Sequence, residues 1–521
     1  MSNDPPHSDA PSPDQTAAAP SEEELEDYEP LTPELVEDEA IRGDFVMKWA
    51  VVLLAFLLGS TRIGETTTLV HVKTGRYLAG HGLIPPATDV FSYTAKDRPW
   101  TNLSWGFDLV AAGIHAAGSF VGLSIAKALI AAVIFGLIVH ISRPGSPTWW
   151  GSICAALALL ACHLQLTAQP VLVTLLGTAL TLWMLHAWKD PEVHPRRIWL
   201  LVPLFLVWSN VDSHAFLGLA LVVLYGLGES LSARVRPKFA PTNAKTLWQT
   251  TGASLAATLV HPFGYQSLLA PWLVYGAEYP AFRDYYQGTY RGSPTPLGWP
   301  GLVYFPMTTG SFWTQLDLAS VAALVLLVLP LVLFILNRKN LDPAHIFVYT
   351  GCLALAGLSL HELPWAALVC GVLATLNGQS WYAANCRQSY STETSELVFS
   401  RGGRAITVLV FAAVALFGGT GRLRDVRSPR SGYGIDQTLG SAIDDFRNQL
   451  SGDRSFDHKP FHQFLAQGDI LIWIGEQVFA DSRVGVYYDR SAGKNLLRTH
   501  SQTREALRTE REAAAGGRGQ V

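Results

Sequence analysis

Apolar runs of nearly membrane-spanning length recur between positions 45 and 420, and they constrain the fold more than any other feature of the chain. A helix needs about 20 mostly apolar residues to cross a bilayer. Charged residues make up only 15% of the chain, whereas about 25% is usual in soluble domains. We therefore predict an all-α polytopic membrane bundle of about eleven transmembrane helices. Their approximate limits are 45–61, 119–141, 149–167, 170–188, 197–209, 214–232, 246–261, 316–337, 344–360, 363–378 and 404–421.

The distribution of Lys and Arg predicts how these spans are oriented. With a cytoplasmic N-terminus, the short outer turns TAQP, SNVDSH and HELP carry no Lys or Arg, whereas the cytoplasmic loops are repeatedly basic. This is the pattern that the positive-inside rule describes. The sequence thus predicts a multi-pass protein of the cell (inner) membrane with an extracytoplasmic C-terminus. The basic residues of the cytoplasmic loops are Arg143, Lys189, Arg196, Arg197, Arg234, Arg236, Lys238, Lys245, Arg338, Lys339, Arg387, Arg401 and Arg404.

The segments outside the spans predict the domain organisation. The first 44 residues are acidic and rich in Pro and Ser, a composition that buries too little apolar surface to fold. After the last span, Leu439, Ile443, Phe446 and Leu450 repeat at helical spacing, while ILIWI, QVFAD and VGVYY are typical of short strands. The predicted units are a disordered cytoplasmic tail (1–44), a transmembrane bundle (45–421) with large outer loops (62–118 and 262–315), a small extracytoplasmic α/β domain (422–498) and a flexible tail (499–521).

Other sequence features exclude some classes of chemistry. The chain has no P-loop and no dinucleotide fingerprint, so nothing favours nucleotide chemistry or a nucleic-acid partner. Its cysteines show no CxxC spacing and predict neither a disulfide framework nor a cysteine zinc site. These cysteines are Cys154, Cys162, Cys352, Cys370 and Cys386.

Loop one (62–118) carries the string H-x-K-T-G-R-x-L-x-x-x-G-x-I-P-x-x-D-x-F-S-Y-T, followed by W-x-N-x-x-W. This string resembles the first outer loop of bacterial multi-span proteins related to the GT-C glycosyltransferases, which use polyprenyl-phosphate sugars. The segments WSNVDSHAFLGLALVVLYGLGE (208–229), HPFGYQSLLAP (261–271) and GDILIWIGEQVFADSRVGVYYD (468–489) are similar to later motifs of that group, in the same order. The likeness implies a GT-C-like bundle that moves a sugar from a polyprenyl-phosphate lipid donor to a glycan or lipid acceptor at the outer face of the membrane. A non-catalytic GT-C-like component that binds or assembles envelope polysaccharide is the alternative, and a transporter is a further one.

The resemblance also implies an acidic residue in loop one that removes the proton of the acceptor hydroxyl. A carboxylate within hydrogen-bond reach can take that proton as the new bond forms. The candidates are Asp89 and Glu65, since the position where the group commonly has Asp is Thr67 here. Asp89 could instead be a turn residue after the two prolines, and Glu65 a solvated charge beside the membrane.

Several basic side chains are candidates for binding the substrate. His71, Lys73 and Arg76 lie together in loop one, and Lys73 and Arg76 are candidate contacts for the donor phosphate. Lys127 lies inside a predicted span and is a functional candidate for that reason, although it could also reach the interface by snorkelling. In the C-terminal segment, Arg483 is expected to form a structural pair with Asp481.

Three predicted outer turns carry the remaining candidates. His214, His261 and His361 each follow or precede a span at the same predicted face, and all three are candidate substrate contacts. With Asp212 and Glu362 they could also form a site for a divalent metal, for which imidazole and carboxylate are suitable ligands. The alternatives are that Asp212 caps the following helix and that His261 is an ordinary turn residue. Glu362 could instead pair with a base of loop one, namely Arg62, Lys73 or Arg76.

Overall fold

The fold is described by a computed structural model. It describes residues 32–143, 146, 148–189, 195–235, 244–289, 302–385, 394–419, 430–452, 459–489 and 494–516. Its helices are α1 (Pro33–Gly59), α2 (Thr66–Gly80), α3 (Trp105–His140), α4 (Thr148–Cys162), α5 (Pro170–Trp188), α6 (Leu201–Val211), α7 (Ala215–Val235), α8 (Ala244–Ala257), α9 (Ala270–Leu273), α10 (Tyr279–Thr289), α11 (Gly310–Thr314), α12 (Leu318–Leu336), α13 (Pro343–Leu358), α14 (Leu363–Asn385), α15 (Thr394–Gly419), α16 (Gln437–Gly452), α17 (Leu465–Ile474) and α18 (Leu496–Gly516). Two strands, β1 (Tyr488–Asp489) and β2 (Lys494–Asn495), pair antiparallel. Short 3-10 turns lie at His163–Gln165, Pro195–Leu200, Gly264–Leu269, Leu360–Glu362 and Val484–Val486, and a π turn at Val274–Glu278.

The described residues contain five helices that are long and apolar enough to cross a membrane, which confirms the class of all-α chain with several candidate spans. They are Trp105–His140, Pro170–Trp188, Ala215–Arg234, Leu318–Leu336 and Arg401–Gly418. Each of the other predicted spans coincides with a helix, but these helices are shorter or more polar. The total of about eleven crossings therefore stays a prediction.

The outward side of α12 shows why such helices suit a bilayer. Its apolar side chains are 43–66% exposed along the length of the helix. A continuous apolar ridge of this kind is unfavourable in water and is covered by acyl chains when the helix lies in lipid. The exposed residues are Leu318, Val321, Val325, Val328, Leu331, Val332, Ile335 and Leu336.

The first helix begins earlier than the sequence predicts. Residues 33–44, which we assigned to the disordered tail, are helical, while residues 1–31 lie outside the described residues. Thr32 caps the helix by accepting a hydrogen bond from the backbone N–H of Leu35 at 3.3 Å, and Pro33 occupies the first turn, where proline costs nothing. Ala40 is 1% exposed. Capping and this burial extend the helix beyond its apolar run.

Helix α14 lies at the centre of the bundle. Most of its side chains are buried, including polar ones such as Asn377 and Gln379, and it packs against α4, α12 and α13.

At the ends of α3 and α5, Arg143 and Lys189 line a cavity of about 620 Å³. Lys189 forms ion pairs with Glu229 and Asp342 there. Two residues predicted to lie in cytoplasmic loops therefore meet at one end of the bundle.

The segment after residue 429 differs from the predicted α/β domain. Within its described residues it is mainly helical, and its only strands are the two-residue pair β1 and β2. The prediction of a strand at ILIWI is wrong, because these residues form the end of α17. The side chain of Gln467 accepts hydrogen bonds from the backbone at Gln463 and Phe464, and Gly475 closes the helix at a φ of 107°. At QVFAD only Val478 makes a bridge, and VGVYY begins as a 3-10 turn.

Loop one and this C-terminal segment (the described residues from 430 to 516) share one apolar core. Val70, Phe91 and Trp100 of loop one pack with Leu471 and Val484. Helix α17 lies on α2, and Ser92 pairs with Val478 in a parallel bridge. The two segments therefore form a single layer over one end of the bundle, and this layer encloses the candidate site.

Candidate functional site

A cavity of about 420 Å³ lies where loop one, the turn at 274–278 and the C-terminal segment meet. Its wall combines apolar side chains with polar groups from five separate stretches of the chain. Such a concave site with a few convergent polar groups is the usual form of a small-molecule site. The polar groups in the wall include His71, Asn102, Asp108, Ser213, Glu278 and Arg483.

His71 and Asp108 form a hydrogen-bonded pair in this wall. The Nδ1 atom of His71 lies 2.6 Å from Oδ1 of Asp108, and Oδ2 of Asp108 accepts a hydrogen bond from Asn102 at 2.7 Å. Asp108 is 2% exposed, whereas the side chain of His71 is 24% exposed. When Nδ1 donates to the buried carboxylate, Nε2 carries the lone pair and is left for a ligand.

Close packing of α2 and α3 brings the pair together. At Gly75, one turn after His71, an added Cβ would lie 1.9 Å from the backbone oxygen of Asp108. Only glycine permits this approach. The predicted substrate contact His71 therefore does line the cavity, with an orienting carboxylate that sequence reasoning did not identify.

Arg483 supplies a fixed cation to the same wall. Its guanidinium donates to Asp481 from Nε at 2.8 Å and from Nη2 at 2.6 Å, and to Asp89 from Nη1 at 2.5 Å. The group also lies 4.6 Å from the ring centre of Trp100 and 4.9 Å from that of Phe91. Burial disfavours its charge, but Asp481 and Asp89 hold the pKa of Arg483 above its usual value. The cation is thus held rigidly before any ligand arrives.

Asp89, the first candidate base, forms an ion pair with Arg483. Its carboxylate is buried and accepts hydrogen bonds from the backbone N–H groups of Phe91 at 3.3 Å and Ser92 at 2.9 Å, besides the one from Arg483. Burial raises the pKa of Asp89, and the charge of Arg483 opposes that rise. The structure favours the alternative that Asp89 is a turn residue.

Glu65 and Lys127, two further candidates, lie away from the cavity wall. Both carboxylate oxygens of Glu65 are buried without a hydrogen-bond partner among the described residues, and burial raises the pKa of Glu65 while the charge of Lys127 lowers it. Lys127 is 1% exposed and donates to the hydroxyl of Thr61. Its side chain points into the protein, so the snorkelling alternative is wrong.

Lys73 and Arg76 join loop one to α17. The Nζ atom of Lys73 lies 3.4 Å from the backbone oxygen of Trp473, and the guanidinium of Arg76 lies 4.8 Å from the ring centre of Trp473. Arg76 is also 3.0 Å from Nδ1 of His115. Neither side chain lines the 420 Å³ cavity. Both side chains contribute to the contact between loop one and α17.

A second polar cluster lies beside the cavity. The hydroxyl of Tyr279 is 2.8 Å from Oε1 of Glu362, 2.9 Å from Nδ1 of His361 and 3.3 Å from Nε2 of His214. Oδ1 of Asp212 lies 3.4 Å from Nδ1 of His214, and the carboxylate of Asp212 also accepts hydrogen bonds from Thr174 and from Trp208. Four of the five residues predicted for a metal site, Asp212, His214, His361 and Glu362, are therefore neighbours.

His261, the fifth, is not part of the cluster. Its Nδ1 accepts a hydrogen bond from the backbone N–H of Phe263 at 3.1 Å, and its ring lies beside that of Phe263. This is the turn role that was the alternative for this residue. The predicted clustering holds for four residues because their turns meet at one end of the bundle.

Charge is concentrated around the cluster. Burial disfavours the imidazolium, but Asp212, Glu362 and Glu278 together raise the pKa of His214 to about 9. Burial alone would raise the pKa of Glu362, yet His361 and His214 lower it to about 2. Burial raises the pKa of Glu278, opposed by the two histidines. Glu278 and Ser213 also line the 420 Å³ cavity, so the cluster and the cavity adjoin.

Sequence reasoning missed Asp108, Glu278 and Tyr279 and assigned Arg483 only a structural pair. One signal was present for Arg483, because it belongs to the segment GDILIWIGEQVFADSRVGVYYD (468–489), which carries part of the resemblance. No local signal marks the other three, since their neighbours come from distant parts of the chain. Searches against protein-family models and against curated proteins find no match to this chain.

Proposed function

We propose that the chain is a GT-C-like membrane glycosyltransferase. It moves a sugar from a polyprenyl-phosphate lipid donor to a glycan or lipid acceptor at the outer face of the cell membrane. The proposal assumes about eleven membrane crossings and a cytoplasmic N-terminus. It also assumes that loop one and the C-terminal segment together cover the extracytoplasmic end of the bundle. The single observation that carries it is a cavity in which an oriented histidine and a fixed arginine face the same space.

His71 is the proposed general base. Its Nε2 takes the proton of the acceptor hydroxyl while that oxygen bonds to the anomeric carbon of the sugar. Asp108, 2.6 Å from Nδ1, stabilises the imidazolium that results. In related acid–base chemistry a buried carboxylate holds a histidine in its working tautomer in the same way. A base placed in this way typically contributes about 10²–10⁴-fold to the rate.

Arg483 is the proposed contact for the leaving group. As the bond between the anomeric carbon and the phosphate oxygen breaks, its electron pair leaves with the phosphate, and negative charge develops there. A cation already held in place stabilises that charge without rearranging. The planar guanidinium also suits the geometry of a phosphate. The proton on His71 is released after the products separate.

The test uses the purified full chain in lipid nanodiscs with a panel of radiolabelled polyprenyl-phosphate sugars. We expect transfer to added acceptor, or slow release of free sugar, by the wild type. His71→Gln and Asp108→Asn should each lose at least about tenfold in rate. Asp108→Asn should also shift the pH profile of the rate, because it changes the charge next to the base.

The matched control is His81→Gln, an exposed histidine just after the same helix. It should leave the rate unchanged. Full activity in His71→Gln would refute the assigned base. Absence of transfer and of hydrolysis across the whole panel, with donor still bound, would instead favour a non-catalytic component that binds envelope polysaccharide.

A further inference from the structure

We propose that His214, His361 and Glu362 bind a divalent transition-metal ion of the zinc type, with Tyr279 as the fourth ligand. The ligand atoms of the first three residues lie within 4.8 Å of one another. The Tyr279 hydroxyl lies among them, 2.8–3.3 Å from each. Two imidazoles and one carboxylate are a donor set that suits such an ion.

Five of the six distances between the four donor atoms are close to those of a tetrahedral centre, and the sixth, between the two histidines, is within 4.8 Å. Bonds of 2.0–2.1 Å place neighbouring ligands roughly 3.3 Å apart in a tetrahedron. Here Nδ1 of His361 is 3.5 Å from Oε1 of Glu362, and Nε2 of His214 is 3.9 Å from the same oxygen. Together with the contacts of Tyr279, these distances scatter around the tetrahedral value. An ion can therefore enter with only small movements of the side chains.

The outer contacts of His214 are those that metal-binding histidines use. Asp212 lies 3.4 Å from Nδ1 of His214 and so leaves Nε2 as the ligand atom. The carboxylate of Asp212 is itself fixed by Trp208 at 3.1 Å and by Thr174. Carboxylate partners of this type fix the tautomer and the ring orientation of a ligand.

The charge around the cluster also favours a cation. Asp212 is fully buried and Glu362 is 2% exposed, while Glu278 interacts electrostatically with both histidines of the cluster. Three carboxylates thus surround two imidazoles in a buried region, where uncompensated charge is costly. The same carboxylates that stabilise positive charge on the His214 ring would stabilise a dication that takes the place of its proton. Because Glu278 also lines the 420 Å³ cavity, the ion would lie beside the proposed substrate.

The experiment measures metal binding directly, so it does not depend on finding the donor. The full chain is purified in detergent without a histidine tag, stripped with a chelator and titrated with Co²⁺ alone and with Zn²⁺ alone. We expect one ion per chain by mass spectrometry and the strong visible absorption of tetrahedral Co²⁺. His214→Gln and Glu362→Gln should bind at least about tenfold more weakly, and Asp212→Asn about 10–100-fold more weakly.

His261→Gln is the matched control, because this histidine lies in a neighbouring turn but outside the cluster. It should bind like the wild type. Tyr279→Phe should keep the ion but change the Co²⁺ spectrum, and it serves as a second variant if a ligand variant fails to fold. The inference is overturned if the wild type gives no tetrahedral spectrum, or if folded Glu362→Gln binds as tightly as the wild type. Transfer by the metal-free protein would leave the proposed function standing and show that transfer does not need the ion. Metal binding without any transfer would leave this inference standing and count against the proposed function.

Discussion

Replacing Arg483 by Gln tests the central charge cluster of the cavity. The change removes the cation that Asp89 and Asp481 share and leaves two buried carboxylates, 2% and 0% exposed, without it. Breaking a buried ion pair from one side costs about 3–5 kcal/mol. We therefore expect the free energy of unfolding at pH 7.5 to fall by about that amount, since the remaining charges cannot reach water.

The pKa shifts of Asp89 and Asp481 predict how the stability loss of Arg483→Gln changes with pH. Arg483 lowers the pKa of both carboxyl groups, so its loss raises their folded-state pKa values above those of the unfolded chain. A carboxyl group whose folded-state pKa is raised destabilises the fold at neutral pH. This loss of unfolding free energy becomes smaller as the pH falls through the folded-state pKa. The deficit of Arg483→Gln should thus be smaller at pH 5 than at pH 7.5.

Thermal and denaturant unfolding in detergent, followed by tryptophan fluorescence, measure both effects. Arg447→Gln is the matched control, because its pairing with Asp444 is exposed, and it should cost no more than about 1 kcal/mol. Adding Asp89→Asn and Asp481→Asn to Arg483→Gln should recover much of the loss. Wild-type stability for Arg483→Gln at pH 7.5, or a deficit that grows on acidification, would refute the idea of a buried charge cluster.

Two further changes test the packing that supports the site. Gly75→Ala should push α2 away from α3 and lower both the transfer rate and the melting temperature, because its Cβ would lie 1.9 Å from the backbone oxygen of Asp108. The control is Gly80→Ala, whose Cβ would have nothing within 4 Å and should change neither quantity. Equal effects of the two substitutions would contradict the close approach of α2 and α3 at Gly75. Burial raises the pKa of Asp469 to about 6, so its charge costs stability as the pH rises from about 4 to 6. Asp469→Asn should therefore gain up to about 3 kcal/mol at pH 8, and a pH-independent difference between the two proteins in unfolding experiments would rule this out.

The helices were predictable because the signal that specifies them is local. An apolar run near membrane length, such as 316–337, has few other ways to satisfy its backbone, and α12 matches it closely. The failure at ILIWI has a physical reason as well. Five consecutive apolar residues show neither the helical nor the strand period, so the capping by Gln467 and Gly475 decided the outcome.

The cavity was less predictable because distant packing builds it. Asp108 is a polar residue in an apolar helix, and only the approach at Gly75 shows that it meets His71. The cluster of Asp212, His214, His361 and Glu362 could be predicted from topology, since their turns lie at the same end of the spans. Tyr279 could not, because it follows a π turn with no sequence signature.

The position of Thr67 links the resemblance to the proposed base. Thr67 and His71 are four residues apart on α2, so they share one face, and both line the cavity. Thr67 accepts a hydrogen bond from Gln169 at 2.5 Å and has no acidic group to offer. A base one helical turn further along reaches the same space, and Asp108 behind it supplies the negative charge that a carboxylate would have brought. Within the proposed function, His71 would therefore supply the proton acceptor that the resemblance implies at position 67, and a rescue of His71→Gln by Thr67→Asp would support this.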